Sequence, residues 1–128
     1  SKWVGIVATD VHWSNADLSY ADLSTAKVKA TVARPTSTSS IHFDGANLKF
    51  SNLTGFSTAG STVKVSFRGA DLSFANLKGA DLTQADFAKN GSYGKEANFT
   101  GVRCDSSTKI PTNLSSAQKT QYNGCLTR

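Results

Sequence analysis

The stretch "RGADLSFANLKGADLTQADF" (Arg68–Phe87) decides the fold, because a large apolar residue occupies every fifth position. Each is preceded by Asp or Asn and, one residue earlier, by Ala; the four are Leu72, Leu77, Leu82 and Phe87. In an α-helix a step of five advances about 140° beyond a full turn. In a strand an odd step moves the side chain to the opposite face. Neither element buries these residues together.

A chain that turns a corner after each unit does bury them together. Within one unit, Ala70 and Leu72 are two residues apart and share one face of a short extended segment. After a corner, the next pair points inward again, and stacked coils pair backbone to backbone at about 4.8 Å. The sequence therefore predicts a solenoid with Leu and Phe in the core, Ala in the walls and polar residues toward water.

The same unit recurs along most of the chain. The predicted core repeat centres are Trp13, Leu18, Leu23, Val28, Phe43, Leu48, Leu53, Phe67, Leu72, Leu77, Leu82, Phe87 and Phe99. Cys104 occupies the next inward position. Three segments depart from the pattern. Residues 31–40 keep the spacing without apolar centres, 56–65 must hold a one-residue deletion or a small loop, and 88–96 is predicted to be an excursion because of Asn90-Gly91 and Gly94.

Tandem A(D/N)LXX units resemble those of the pentapeptide-repeat proteins. The resemblance covers most of residues 11–104. It implies an all-β solenoid, a right-handed quadrilateral parallel β-helix with four units per coil. The whole chain, residues 1–128, is then a single pentapeptide-repeat domain, because its length is that of one domain.

Both ends of the coil are predicted to be capped, since an open coil end is a sheet edge that invites pairing. Residues 1–10, "SKWVGIVATD", are expected to fold over the first coil, and 105–128 to form a C-terminal cap with a short α-helix. Ser115 and Gln118 have capping-box spacing, and Gly124 is placed to end that helix. Capped ends favour a monomer.

The two cysteines, Cys104 and Cys125, are either a disulfide or two buried free thiols. The disulfide is favoured because both lie near one end of the chain, where Cys125 would fasten the cap to the last coil. A helical cap tied by a disulfide resembles pentapeptide-repeat proteins of the cyanobacterial or chloroplast lumen. We therefore expect a mature chain in the thylakoid lumen, the periplasm or the extracellular space, with the cytoplasm as the alternative.

No catalytic, cofactor or metal site is predicted. The Asp residues of the repeat are explained as its outward polar positions, and His12 and His42 occupy outward positions in different units. Zinc-binding, phosphate-binding and nucleophile-elbow motifs are absent from the sequence. The sequence favours a protein that is not an enzyme.

One possible basic face comprises Lys29, Lys49 and Arg68. Lys29 and Lys49 are twenty residues apart, as neighbours in one column of twenty-residue coils would be, and Arg68 joins them if one residue is missing. Such a column either binds an anionic surface or aids solubility. On the same register Tyr20, Phe50 and Phe74 do not form one stacking platform, which makes nucleic acid an unlikely partner.

The function favoured by these features is a non-enzymatic structural or protein-interaction module whose protein partner is unknown. The resemblance adds an alternative, a DNA-mimic protein that binds the topoisomerase gyrase, but the net charge of +5 argues against mimicry of an acidic duplex. Polyanion binding through the basic face is the other alternative. No apolar run is long enough to be inserted in a membrane.

Overall fold

The computed structural model describes residues 3–9, 13–29, 43–60, 65–87, 96–111 and 114–123. Its elements, in chain order, are the strands β1 (Val7–Thr9), β2 (Lys27–Lys29), β3 (Val65–Ser66) and β4 (Ala85–Asp86) and the helix α1 (Ser116–Asn123). β1 pairs with β2 and β3 pairs with β4, both in parallel. Parallel pairing of short segments far apart in sequence is what stacked coils require.

Isolated parallel bridges extend this pairing through the described residues. One column contains Asp17, Asn47, Asp71 and Asn98, a second contains Asp22, Asn52, Asn76 and Arg103, and a third contains Lys27, Ser57, Asp81 and Lys109. β1 joins the third column, and the β3–β4 pair forms a fourth. The chain meets these four columns in turn, and the predicted solenoid is confirmed.

The polar residues of the repeat hold the corners. In the unit around Leu82, the Asp81 carboxylate accepts hydrogen bonds from the backbone N–H of Thr83 (3.1 Å) and from its hydroxyl (2.7 Å). The N–H of Ala85 then donates to the carbonyl of Leu82 at 3.0 Å and closes the turn. Asp and Asn favour such local turns because their side chains bond the backbone two residues on. These carboxylates therefore have a structural role, as the repeat predicts.

The interior is filled as predicted, with one exception. Of the thirteen core repeat centres, twelve are buried, and Trp13 is only partly buried against the core. Phenylalanine rings continue through the interior from coil to coil: Phe43 and Phe67 stack at 4.6 Å, and Phe67 and Phe87 lie 5.2 Å apart. Full burial of each such side chain stabilises the fold by about 1.5–3 kcal/mol.

The irregular segments differ in detail from the prediction. Phe56 is fully buried and Ser57 bridges both Lys27 and Asp81, so the wall continues into the segment 56–65; residues 61–64 lie outside the described residues. Between Phe87 and Ala97, the N–H of Ala97 donates to the Phe87 carbonyl at 3.1 Å, as a single turn would. The ends of the predicted excursion therefore meet, while residues 88–95 and 31–40 lie outside the described part.

The N-terminal segment, predicted as a cap, pairs with the coil along part of its length. β1 pairs in register with β2, twenty residues on, so residues 3–9 belong to the coil itself. Val4 and Val7 are exposed, whereas Ile6 packs against the core and the Trp3 ring lies edge-on to Trp13 at 5.9 Å. The coil also extends beyond Cys104, its predicted last residue, because Lys109 bridges Asp81. In both places the backbone pairs with the adjacent coil, which satisfies its hydrogen-bonding groups.

The helix α1 covers the other end, as predicted. Its capping box is formed: Ser115 N–H donates to Gln118 Oε1 at 3.0 Å, and Gln118 N–H donates to Ser115 Oγ at 3.1 Å. The buried Gln118 also donates from Nε2 to the carbonyls of Phe87 (2.7 Å) and Ala97 (3.1 Å). Gln121 Oε1 accepts from the N–H of Phe99 at 3.0 Å. The cap thereby satisfies backbone groups of the last coil. No helix among the described residues is long and apolar enough to cross a membrane.

Candidate interaction surface

The structure does not bring the three residues of the predicted basic face together. Lys29 lies in β2 opposite Thr9, and the carbonyl of Lys49 accepts from the N–H of Tyr20. The carbonyl of Arg68 accepts from Gly45, which places it in another column. The prediction is wrong because it assumes twenty-residue coils, whereas Lys27 pairs with Ser57, thirty residues on.

Two of these cations are also paired with acids. Lys49 Nζ lies 3.6 Å from Asp71 Oδ2, and Arg68 Nη2 lies 3.0 Å from Asp86 Oδ2. For Asp71, partial burial acts to raise the pKa, but hydrogen bonds from Ser73 and the charge of Lys49 outweigh it and lower the pKa. These residues form local ion pairs and do not form a continuous positive face.

The outer surface instead carries a stack of aromatic rings. The centroids of Tyr20 and Phe50 lie 5.0 Å apart with planes 5° from parallel, and those of Phe50 and Phe74 lie 5.0 Å apart at 10°. We call these three residues the aromatic ladder. The expectation that they do not form one platform is wrong. They occupy equivalent positions in successive coils, but the steps between paired positions beside them are 30, 24 and 27 residues, which hides the alignment in the sequence.

The ladder occupies a backbone conformation that aromatic residues rarely adopt. The φ angles of Tyr20, Phe50 and Phe74 are 61°, 58° and 62°, in the left-handed region. Among the described residues, the equivalent turn position is mostly glycine in the other columns. One such column has Asn15, Gly45 and Gly69, and another has Gly5, Thr25, Gly55 and Gly79. The aromatic residues are therefore not what this turn favours.

The ladder presents ring edges to solvent. Phe50 has a ring against each of its faces and yet is 47% exposed. Phe74 has Phe50 on one face, and on its other side a Cβ atom at Gly101 would lie 2.6 Å from two ring carbons. Tyr20, at the outer end of the stack, is 73% exposed. The exposed part of Phe50 and Phe74 is therefore the rim of each ring.

Polar residues border the ladder along the same wall. The hydroxyls of Ser19, Ser73 and Thr100 donate to the side chains of Asp17, Asp71 and Asn98 respectively. The Ser19 hydroxyl bond is the main cause that lowers the pKa of Asp17. Each hydroxyl on this border already donates to an acceptor of the same chain. The rings of the ladder are therefore the apolar part of this wall that a ligand can contact.

The remaining candidate residues give no reactive site. Among the described residues, no group of three His, Cys, Asp or Glu side chains is placed to hold a metal ion. His12, His42 and Cys125 lie outside the described residues. Cys104 is buried in the core, and its pairing with Cys125 stays a prediction.

Comparison with known proteins identifies the repeat. Residues 63–89 match the family model whose description is "Pentapeptide repeats (8 copies)". No curated protein matches the chain significantly.

Several solved structures are similar to the chain. A pentapeptide repeat protein from Nostoc Pcc 7120 shares 26% identity, with 98% of this chain and 79% of that chain covered and a TM-score of 0.47. A second, from the cyanobacterium Cyanothece 51142, shares 25% identity over 81% of this chain and 63% of that chain, with a TM-score of 0.44. A third, from the Arabidopsis thaliana thylakoid lumen, shares 22% identity over 92% and 74%, with a TM-score of 0.27. With the match of residues 63–89 to the repeat, the resemblance drawn from the A(D/N)LXX units is confirmed: residues 63–89 carry pentapeptide repeats.

Proposed function

We propose that this protein is a non-enzymatic protein-interaction module, in which a right-handed, four-sided β-helix presents the aromatic ladder to a protein partner. The observation that supports the proposal is the placement of three aromatic residues, stacked and exposed, at positive-φ turn positions. Glycine fits these turns without strain and serves in the neighbouring columns.

The stability of the fold does not by itself explain why aromatic residues occupy these three turn positions. A left-handed conformation costs a side chain other than glycine roughly 1–2 kcal/mol. Each aromatic pair contributes about 0.5–1.5 kcal/mol, so the two pairs offset only part of the strain at three positions. The rims remain in water, where they contribute nothing further to folding. Aromatic residues in a polar border are instead typical of the centre of a protein–protein interface.

Electrostatics separate this function from polyanion binding. Lys49 beside the ladder is paired with Asp71, and the Asp17 carboxylate on the border repels a polyanion; the other border groups are hydroxyls and the Asn98 amide. Binding through the ladder is therefore expected to depend weakly on salt, whereas binding to a polyanion weakens steeply as salt rises.

The cap supports the rest of the proposal. We infer that Cys104 pairs with Cys125 and holds the C-terminal segment to the last coil, which is compatible with an oxidising compartment such as the thylakoid lumen. With α1 covering one end of the solenoid, the side wall is the surface left to meet the partner.

The test compares two glycine variants as bait for proteins of the native compartment. Phe50→Gly removes the central ring at a position with φ of 58°, and Thr25→Gly removes a side chain from the equivalent turn of another column, also with φ of 58°. Partners retained by the wild type and by Thr25→Gly, but lost with Phe50→Gly at both low and high salt, support the proposal. Identical retention by all three proteins would show that the ladder is not the contact surface.

A further inference from the structure

We infer that the ladder receives a planar aromatic side chain of its protein partner, which lies with its face across the rims of the stacked rings. The inference rests on the proposed function, because it names the group that the partner brings to the same surface. It depends on which part of each ring is exposed and on the size of the exposed patch.

The rim of an aromatic ring has a definite chemical preference. The π-system leaves the ring face negative and the ring edge positive, so an edge attracts the face of another ring. Both faces of Phe50 are occupied by its neighbours, and the ring of Phe74 is enclosed between Phe50 and Gly101. What these residues offer is a row of positive edges, complementary to a face and not to a further stacked ring.

The repeat distance sets the orientation of the incoming group. The rims follow one another at 5.0 Å, with planes within 10° of parallel. A ring laid flat along this row contacts two edges at once, and a bicyclic indole is long enough to cover both. An aliphatic side chain of equal size has no charge distribution to match the row, so the site favours aromatic over aliphatic groups.

The size of the patch argues against a second copy of this chain as the occupant. With exposures of 73%, 47% and 51%, three rings of about 150–250 Å² each present roughly 250–430 Å². A stable protein–protein interface buries about 800 Å² on each partner. The ladder therefore provides the apolar centre for one or two partner rings, and the remainder of such an interface lies on the polar border.

The hydroxyl groups of the border are not free to donate hydrogen bonds to a ligand. The hydroxyls of Ser19, Ser73 and Thr100 already donate to acceptors of their own chain. Discrimination among ligands thus falls to the rings, and the charge of the ligand contributes little.

Two matched probes test the inference, N-acetyl-tryptophanamide and N-acetyl-cyclohexylalaninamide, titrated into the wild type, Phe50→Gly and Thr25→Gly and followed by amide NMR shifts. In the wild type we expect saturable ring-current shifts of the ladder amides with the tryptophan probe. The cyclohexyl probe should bind at least fivefold more weakly. Phe50→Gly should lose binding of both probes, whereas Thr25→Gly should keep it. Equal affinities for the two probes would overturn the inference and leave a general apolar surface.

Two further outcomes also overturn it: no saturable shift at the ladder with the tryptophan probe, or concentration-dependent self-association that Phe50→Gly abolishes. Failure of the proposed function is recognised separately, by retention of the same partners on wild-type and Phe50→Gly bait. The cyclohexyl probe could bind as well as the tryptophan probe while capture of partners still depends on Phe50. In that case the inferred preference for an aromatic group is wrong, and the proposed function stands.

Discussion

The ring of Phe74 lies against the backbone of Gly101 in the next coil, so closely that a Cβ atom there would be 2.6 Å from two ring carbons. Glycine at residue 101 thus ends the column of aromatic residues. We expect Gly101→Ala to displace the Phe74 ring and to destabilise the protein. The control is Gly79→Ala, which has a nearly identical φ (70° against 68°) but meets its nearest atom at 3.6 Å.

Both variants carry the strain of a left-handed alanine, about 1–2 kcal/mol. Only Gly101→Ala adds the steric overlap with the ring, which costs about a further 1–3 kcal/mol. Urea denaturation of the two proteins measures the difference. Equal free energies of unfolding would show that Phe74 is not held against Gly101.

Removal of the central ladder ring is expected to change stability little. Phe50→Gly loses two aromatic contacts, each worth about 0.5–1.5 kcal/mol, but relieves about 1–2 kcal/mol of backbone strain. The net change in the free energy of unfolding should lie between a gain of about 1 kcal/mol and a loss of about 2 kcal/mol. Leu48→Ala, two residues earlier and fully buried, should cost about 2–5 kcal/mol. If Phe50→Gly lost as much free energy of unfolding as Leu48→Ala, the ladder would serve the stability of the fold, and the prediction would be contradicted.

Ser51 is the one described residue with a buried side-chain polar atom that has no hydrogen-bond partner. Its neighbours at the same position in adjacent coils are Ala21 and Ala75. Ser51→Ala should therefore stabilise the protein by about 1 kcal/mol, because it removes an unsatisfied hydroxyl. Ser73→Ala is the matched control: that hydroxyl is bonded to Asp71 at 2.7 Å, and its removal should destabilise. Thermal unfolding distinguishes the two, and a loss of stability in Ser51→Ala would contradict the prediction.

Gln118 joins the helix cap to the last coil: its Oε1 accepts from Ser115 within the cap, and its Nε2 donates to the coil. Gln118→Ala loses the capping interaction and leaves the Phe87 and Ala97 carbonyls without this donor, which should cost about 2–4 kcal/mol. Gln118→Glu keeps an acceptor for Ser115 but has no donor, so it should be destabilised as well. Lys119→Ala, on the exposed side of α1, should unfold like the wild type. Wild-type stability in Gln118→Glu would show that the two carbonyl contacts contribute little.

Asp105 is expected to make the free energy of unfolding vary with pH in the acidic range. A hydrogen bond from the Ser107 hydroxyl is the main cause that lowers the pKa of Asp105 from 3.8 to about 2, and the N–H of Gly79 adds to it. Because the folded-state pKa is depressed, this stabilisation is present above the unfolded-state value and is lost as the pH falls through about 2. Asp105→Asn keeps an acceptor oxygen but does not titrate.

We therefore expect the free energy of unfolding to fall less steeply between about pH 4 and pH 2 in Asp105→Asn than in the wild type. Urea denaturation at a series of pH values measures the slope. Lys119→Ala should keep the wild-type slope, since lysine does not titrate in this range. An unchanged slope in Asp105→Asn would contradict the role of this carboxylate.

The sequence by itself determined the local unit: Ala and Leu two residues apart point inward, Asp or Asn closes the corner, and Ser115 with Gln118 begins the helix. These are short-range relationships, so they are readable from spacing alone. Alignment between coils is long-range. It depends on how many residues each coil contains, and steps of 20, 30, 24 and 27 residues between paired positions are not apparent in the repeat.

Tertiary structure alone therefore decided which outward side chains meet. It separated Lys29, Lys49 and Arg68, and it stacked Tyr20, Phe50 and Phe74 at 5.0 Å. The physical reason is that backbone hydrogen bonds between walls set the register, whatever number of residues separates the paired positions along the chain.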